Sequence, residues 1–332
     1  MIDFKYHMVS LVAVFLALAV GIVLGAGPLR GELSDTLESQ VAELGQERND
    51  LRARVDLQQQ RAEQKDELLD ALVPSAVEGT LLGQRVRVVE LPGSEAEVAD
   101  AMATALVQAG AETVTRTVVL DVWDDPRGEA ERQAAADEWV AQFPDEAVAE
   151  QAAPAELLAV ALAGPASVEA SESWRVALAS VTDLDAIATT EPDEGLDPPL
   201  PGGSTSLRQD VVVVLTGGIE AGDLGDSPGA QLLVEQRLAL VSALTREDVP
   251  TLLIGTGTES FESEPIDAED PLIVTIRTDG DVSDLVSTVD NTESSAGQLA
   301  AIWAAAWLLA GESGDYGLGA DAQAPASDPP PS

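Results

Sequence analysis

Two glycine-rich turns are the first places in this sequence where chemistry could be arranged. Val211–Leu215 is an unbroken apolar run that leads into Thr216-Gly217-Gly218, and Thr251–Ile254 leads into Gly255-Thr256-Gly257-Thr258. Turns at the carboxyl ends of parallel strands are where an open α/β sheet binds ligands, and their glycines let main chain approach a phosphate. Gly217, Gly218, Gly255 and Gly257 are therefore the candidate ligand-binding residues. Neither turn matches G-x-G-x-x-G or the P-loop pattern, and no lysine stands nearby. Glu220, Asp223 and Asp226 would repel an anion from the first turn. A glycine after a strand also serves as a plain turn, and that reading stays open at both.

Catalysis lacks its usual parts. The chain has no cysteine, and its one histidine is His7, so Ser-His-Asp and Cys-His arrangements cannot form in the body of the protein. Carboxylates are abundant, but no spacing selects an acid/base pair. The chain reads as a non-enzyme with no catalytic residue. Copper(I) favours sulfur donors and copper(II) imidazole; beyond Ser10 the only such donor is Met102, in an expected helix core. Carboxylates suit calcium or magnesium, yet no EF-hand spacing occurs. No resident metal or cofactor is expected.

The elements that carry these turns follow from composition and patterning. Acidic residues number 59 against 17 basic, a net charge of −42. Such a surface repels phosphate backbones, which excludes nucleic-acid binding. Two origins for the acidity stay open: a salty habitat, where ions screen the self-repulsion, or an Ala/Asp/Glu-rich surface from a GC-rich genome. Aromatic residues make up only 3%, so the core must be mainly Val, Leu, Ala and Ile.

Residues 1–7 form a short head and 8–29 an apolar stretch without formal charge. As a helix, that stretch spans about 33 Å, enough for a hydrocarbon core of about 30 Å. It is long for a signal peptide and lacks a basic n-region, so a retained single-pass anchor is preferred, although Gly25-Ala26-Gly27 resembles a cleavage site. The short head is most simply cytoplasmic, which puts the large domain outside. From 33 to 72 the pattern turns helical and charged. Leu37, Leu44, Leu51 and Leu72 fall on one heptad series, with Gln58 and Lys65 completing it; Val41, Arg48, Val55, Ala62 and Leu69 form the second. We read this as a coiled coil that joins two copies into a parallel homodimer, against the alternative of an amphipathic helix lying on its own domain. Val73-Pro74 is the expected end of the helix.

An α/β domain with a mainly parallel, Rossmann-like sheet is expected over 82–312, since strands alternate with helices. Strands are read at Val86–Leu91, Thr113–Leu120, Val211–Leu215, Thr251–Ile254 and Leu272–Ile276, and helices after Ser94 and over Glu129–Val140, Ala155–Ala163, Val168–Val181, Gln231–Glu247 and Gln298–Ala310. Ser94 and Glu97 suggest a capping box. Trp303 and Trp307 share a helix face, as core packing or as a partner-binding face. Glu191–Gly203 reads as an exposed loop, and 315–332 as a disordered tail rich in Pro, Ala and Asp.

The opening Ile2-Asp3-Phe4-Lys5-Tyr6-His7-Met8-Val9-Ser10, with the apolar run to Gly25, closely resembles the start of the actinobacterial MctB family, often labelled copper transporter. Ser287–Thr292 with Val289, Asp290 and Asn291, then Gly297, and Tyr316-Gly317 resemble its C-terminal signature. Asp315 stands where that family often has His. The resemblance implies a cell-envelope membrane protein. Its functions would be copper efflux or tolerance, with an outer-membrane or channel role, or a SteB-like part in septal cell-wall control beside a SteA-like membrane partner. Copper is possible on the family label alone. Detailed similarity through Phe4–Ser10, beyond what hydrophobicity requires, also suggests that this segment contacts a partner.

Overall fold

The computed structural model describes residues 4–25, 29–144, 153–165, 171–190, 208–217, 228–256, 270–280, 282–319 and 321–330. The chain divides into two compact units, Met1–Lys65 and Asp66–Ser332. The expected loop at 191–203 lies outside the described residues.

The first unit is helical. Helix α1, Phe4–Gly25, contains one stretch, Lys5–Val23, that is long and apolar enough to cross a membrane. Its large side chains from Tyr6 to Val23 stand exposed. Helix α2 runs from Leu29 to Val77 and contains Pro74. The expected stop before Pro74 is therefore overridden. An interior proline costs about 3 kcal/mol, but Val73 and Val77 on the last turns of α2 are buried in the second unit's core with Leu81, and that packing offsets the cost.

The second unit is built on seven strands: β1 Arg85–Glu90, β2 Thr113–Val119, β3 Ile187–Thr190, β4 Val211–Leu215, β5 Thr251–Ile254, β6 Val286–Val289 and β7 Asp315–Tyr316. Their order is β3-β2-β1-β4-β5-β6-β7, and every neighbouring pair is parallel except β2/β3. The chain starts mid-sheet at β1, steps outward to β3, then returns to β4, so strand order reverses between β1 and β4. Alternate residues of β1 serve two cores: Val86 and Val88 face one, Val89 and Leu91 the other. This double burial explains why the central strands read as unbroken apolar runs.

Against the Val86 face pack α3 (Ala96–Gln108), the end of α2 and a later helix, Ser295–Leu309. Against the Val89 face pack α4 (Asp121–Asp124), α5 (Glu129–Gln142), α6 (Pro154–Ala163), α7 (Ser171–Asp183), α8 (Pro228–Arg246) and α9 (Pro271–Thr278). Ser295–Leu309 is then α10. The connections through α8 and α9 lie on one face and that through α10 on the other, while β4 to β7 advance in one direction. The β6–α10–β7 connection thus has the opposite hand, which is uncommon for parallel strands.

Three expectations change. Leu272–Ile276 is helix α9, not a strand: Asp270 caps it, its Oδ1 accepting from the Leu272 and Ile273 amides at 2.9 and 3.4 Å, and Pro271 opens the first turn. The sheet position beside β5 belongs to β6. Helix α3 begins at Ala96 without a side-chain cap bond; Ser94 instead donates its amide to the Leu91 carbonyl at 3.1 Å, within the turn that leaves the sheet. The segment read as a disordered tail begins with β7, because the edge of β6 offers unpaired main-chain groups that Asp315 and Tyr316 satisfy. It continues with Gly317 N donating to Ala324 O at 3.0 Å and Trp307 Nε1 donating to Asp328 O at 2.8 Å.

At the amino end of the sheet, Arg85 on β1 grips Asp210 before β4. Its backbone N, Nε and Nη2 donate at 2.8, 3.0 and 2.8 Å. Burial alone would push the Asp210 carboxyl up, but these bonds and the Arg85 charge outweigh it and hold the group below the ordinary carboxylate value. A depressed carboxyl adds stability above its unfolded pKa and loses it as pH falls through the folded value. Asp210→Asn should therefore lower stability at pH 7 and flatten its decline below about pH 4, read by urea unfolding across pH. Two glycines give a second test. A Cβ at Gly297 would fall on the Asn291 carbonyl, whereas one at Gly45 meets nothing within 4 Å. Gly297→Ala should destabilise by about 1–3 kcal/mol; Gly45→Ala should stabilise α2 by up to about 1 kcal/mol.

Candidate functional site

The carboxyl ends of β1 and β4, where strand order reverses, are where a doubly wound sheet opens a crevice. Among the described residues, the turns after β1 and β4 come together there. A Cβ on Gly217 would fall on the main chain of Pro92, Gly93 and Ser94, so glycine at 217 lets the turn after β4 press against the turn after β1. Arg237 of α8, with 4% of its side chain exposed, locks the contact. Its Nη1 donates to Gly217 O at 2.6 Å, and its Nη2 donates to Pro92 O at 2.8 Å and Asp124 Oδ2 at 2.9 Å. Burial is the largest influence on Asp124 and raises its pKa, opposed by Arg237.

Gly255 plays a similar part after β5. Its carbonyl accepts from both the amide and the hydroxyl of Thr292, each at 3.0 Å, and a Cβ there would strike Ile273 and Thr216. Of the four candidate glycines, Gly217 stands at a close main-chain approach and Gly255 against the side chains of Ile273 and Thr216; Gly218 and Gly257 lie outside the described residues. Among the described residues, a pocket of about 410 Å³ lies instead between α5 and α7, lined by Trp139, Val176 and Ser180 with Glu138, Glu172 and Arg175.

The C-terminal signature residues converge on one buried cation that sequence reasoning missed. Arg277 of α9 has 2% of its side chain exposed. Its Nε donates to Thr288 Oγ1 at 2.8 Å, and its Nη2 donates to Tyr316 O at 2.8 Å and Asp290 Oδ2 at 3.1 Å. Asp315 Oδ1 accepts from Thr288 Oγ1 at 2.7 Å. Asp290 also accepts the amides of Leu318 and Gly319, at 2.5 and 3.1 Å. Gly317, at φ +128°, leaves room for the Asp290 carboxylate. Asn291 supplies a left-handed turn at φ +57°, and Ser294 caps α10 by accepting the Gly297 amide at 3.1 Å. Val289 lies in the core. Asp290, Asn291, Gly297, Tyr316 and Gly317 therefore work as one joint, which fastens the C-terminal segment to β6 and starts α10.

Trp303 and Trp307 are half-buried on α10. The seam of α2 is different. Val41, Leu44, Leu51, Val55 and Leu72 are each more than half exposed, while Leu69 is half-buried. The side chain of Leu37 lies outside the described residues.

Soft metal donors are as sparse in space as in sequence. Met102 is fully buried on α3, and His7 and Met8 lie on α1. No group of three His, Cys, Asp or Glu residues that could hold an ion occurs among the described residues.

Two buried arginines should respond oppositely to removal of charge. Arg277→Met strands Asp290 and should cost about 3–5 kcal/mol. Protease should then cleave after β7 before the rest of the domain unfolds. Arg87 on β1 is 8% exposed, its Nε has no partner among the described residues, and burial pulls its pKa down to about 10. Arg87→Met should therefore stabilise the domain by about 1–4 kcal/mol. Denaturant unfolding measures both.

The family described as copper transport outer membrane protein, MctB, matches residues 1–327. Proteins named copper transporter MctB from Mycobacterium tuberculosis and Mycobacterium bovis are each 28% identical over 335 residues, covering 96% of this chain and 97% of theirs. The membrane-length helix, the α/β domain and the C-terminal joint thus fall within one family: this chain belongs to the MctB family.

Proposed function

We propose that this protein is a single-pass membrane protein of the cell envelope that works by engaging other proteins, in the manner of a SteB-like scaffold. In this reading α1 crosses the cell membrane, the acidic domain is extracytoplasmic and Rossmann-like, and α2 forms a coiled coil with a second copy. The observation that carries it is the exposed apolar seam of α2, Val41, Leu44, Leu51 and Val55, following a helix of membrane length. An apolar stripe in water costs free energy until a partner covers it. A SteA-like membrane protein is the expected further partner, and no catalytic step is assigned.

The second reading is copper transport, which the family description and the names of the mycobacterial relatives favour. Copper would be cargo, and its soft ligands would have to come from Met1, His7 and Met8 of several copies, since Met102 is buried. One membrane helix encloses no pore, so a channel would also need an oligomer.

A strain lacking the chain separates the two. Under the scaffold reading, loss perturbs septation or wall integrity, and a copy with Leu44→Asp and Leu51→Asp fails to restore it, while copper tolerance is unchanged. Loss of copper tolerance, restored in full by His7- and Met8-containing copies whatever the state of the seam, would reverse the ranking.

A further inference from the structure

The exposed seam carries more information than its hydrophobicity. With Val41, Arg48, Val55, Ala62 and Leu69 at position a, position d holds Leu44, Leu51, Gln58, Lys65 and Leu72. β-Branched residues at a with leucine at d favour two parallel strands. Between 47 and 66, Glu47, Asp50, Asp56, Glu63 and Asp66 are interspersed with Arg48, Arg52, Arg54, Arg61 and Lys65. The charges of this stretch balance, five acidic against five basic, within a chain of net charge −42, so it is where two copies can approach without the repulsion that their acidic domains impose.

Flanking charges then select orientation and register. Position g holds Glu47, Arg54 and Arg61; position e holds Arg52, Gln59 and Asp66. In a parallel pair, g meets the e position five residues on in the partner. Glu47 therefore meets Arg52, Arg61 meets Asp66, and Arg54 meets neutral Gln59, each twice by symmetry, with no like-charge contact among these g and e positions. None of these charged groups has an ion pair within its own chain among the described residues. Sliding one copy by a heptad loses both attractive contacts. It gains one Arg54–Asp66 contact, sets Arg54 beside Arg52, and presses Arg48 against Val55.

Resting on the reading of α2 as a coiled coil, we infer that the occupant of this seam is a second copy of the same chain, parallel and in register, with Glu47–Arg52 and Arg61–Asp66 pairs between copies. Arg48 and Lys65 act as register marks: each faces its own counterpart at the seam edge, where its long stem lets the charge reach water.

The absence of cysteine makes the test direct. In the full-length protein in detergent, Leu44→Cys and Leu51→Cys at d should each form an interchain disulfide under mild oxidation, and Ala53→Cys at f should not. Glu47→Arg should weaken dimerisation roughly tenfold, and adding Arg52→Glu should restore it; an unchanged unfolding transition of the domain excludes a folding defect. Two chains by sedimentation without disulfides at 44 or 51 would overturn the parallel register and leave the coiled coil standing. One chain by sedimentation would remove both. Equal cross-linking through Ala53→Cys would also overturn the assignment.

Discussion

Apolar surface without an intramolecular home is the constraint on which this protein's organisation depends. Helix α1 is hydrophobic on every side, a pattern suited to lipid or to a protein interior, and its large side chains stand exposed. Helix α2 carries an apolar seam along a charged cylinder, and among its described residues Val73 and Val77, on the last turns, are buried in the chain's own core. The free energy of these two helices is lowered by surroundings that a single copy does not provide. A reading based on membrane and partner thus follows from the hydrophobic effect before any family name is considered.

The α/β domain pairs two of its buried arginines, Arg237 and Arg277, with groups of its own. At the strand reversal, where related architectures keep a crevice, Arg237 ties together the turns after β1 and β4 and Asp124. At the far edge, Arg277 does the same for β6, β7 and the segment beyond. Their bonds go to main-chain carbonyls, to carboxylates and, from Arg277 Nε, to the Thr288 hydroxyl of the same domain. Such joints set shape and hold surfaces in place.

Much of the fold was legible because its elements carry one dominant signal each. The unbroken valines of β4, the periodic α8, the long apolar α10 and the apolar length of α1 each point to one structure. Leu272–Ile276 carried no such signal: a five-residue apolar run fits strand or buried helix equally, and the Asp270-Pro271 cap that decides for helix was available but overlooked. Strands β3 and β6 are four residues long and are defined by their neighbours, Val118 pairing with Ala188 and Leu253 with Thr288. The signature glycines and Asp290 were recognisable only as a resemblance. Their reason, a carboxylate seated against Gly317 beneath Arg277, joins residues far apart in sequence, and no local pattern encodes it.

The measurement that bears most directly on this account is the mass of the full-length protein in detergent by sedimentation equilibrium, compared with a Leu51→Glu, Val55→Glu variant. The account requires two chains for the native sequence and one for the variant, with the domain's unfolding midpoint the same in both. Equal masses would contradict it, because the seam would then be neither the contact between copies nor the reason α2 is apolar along one side.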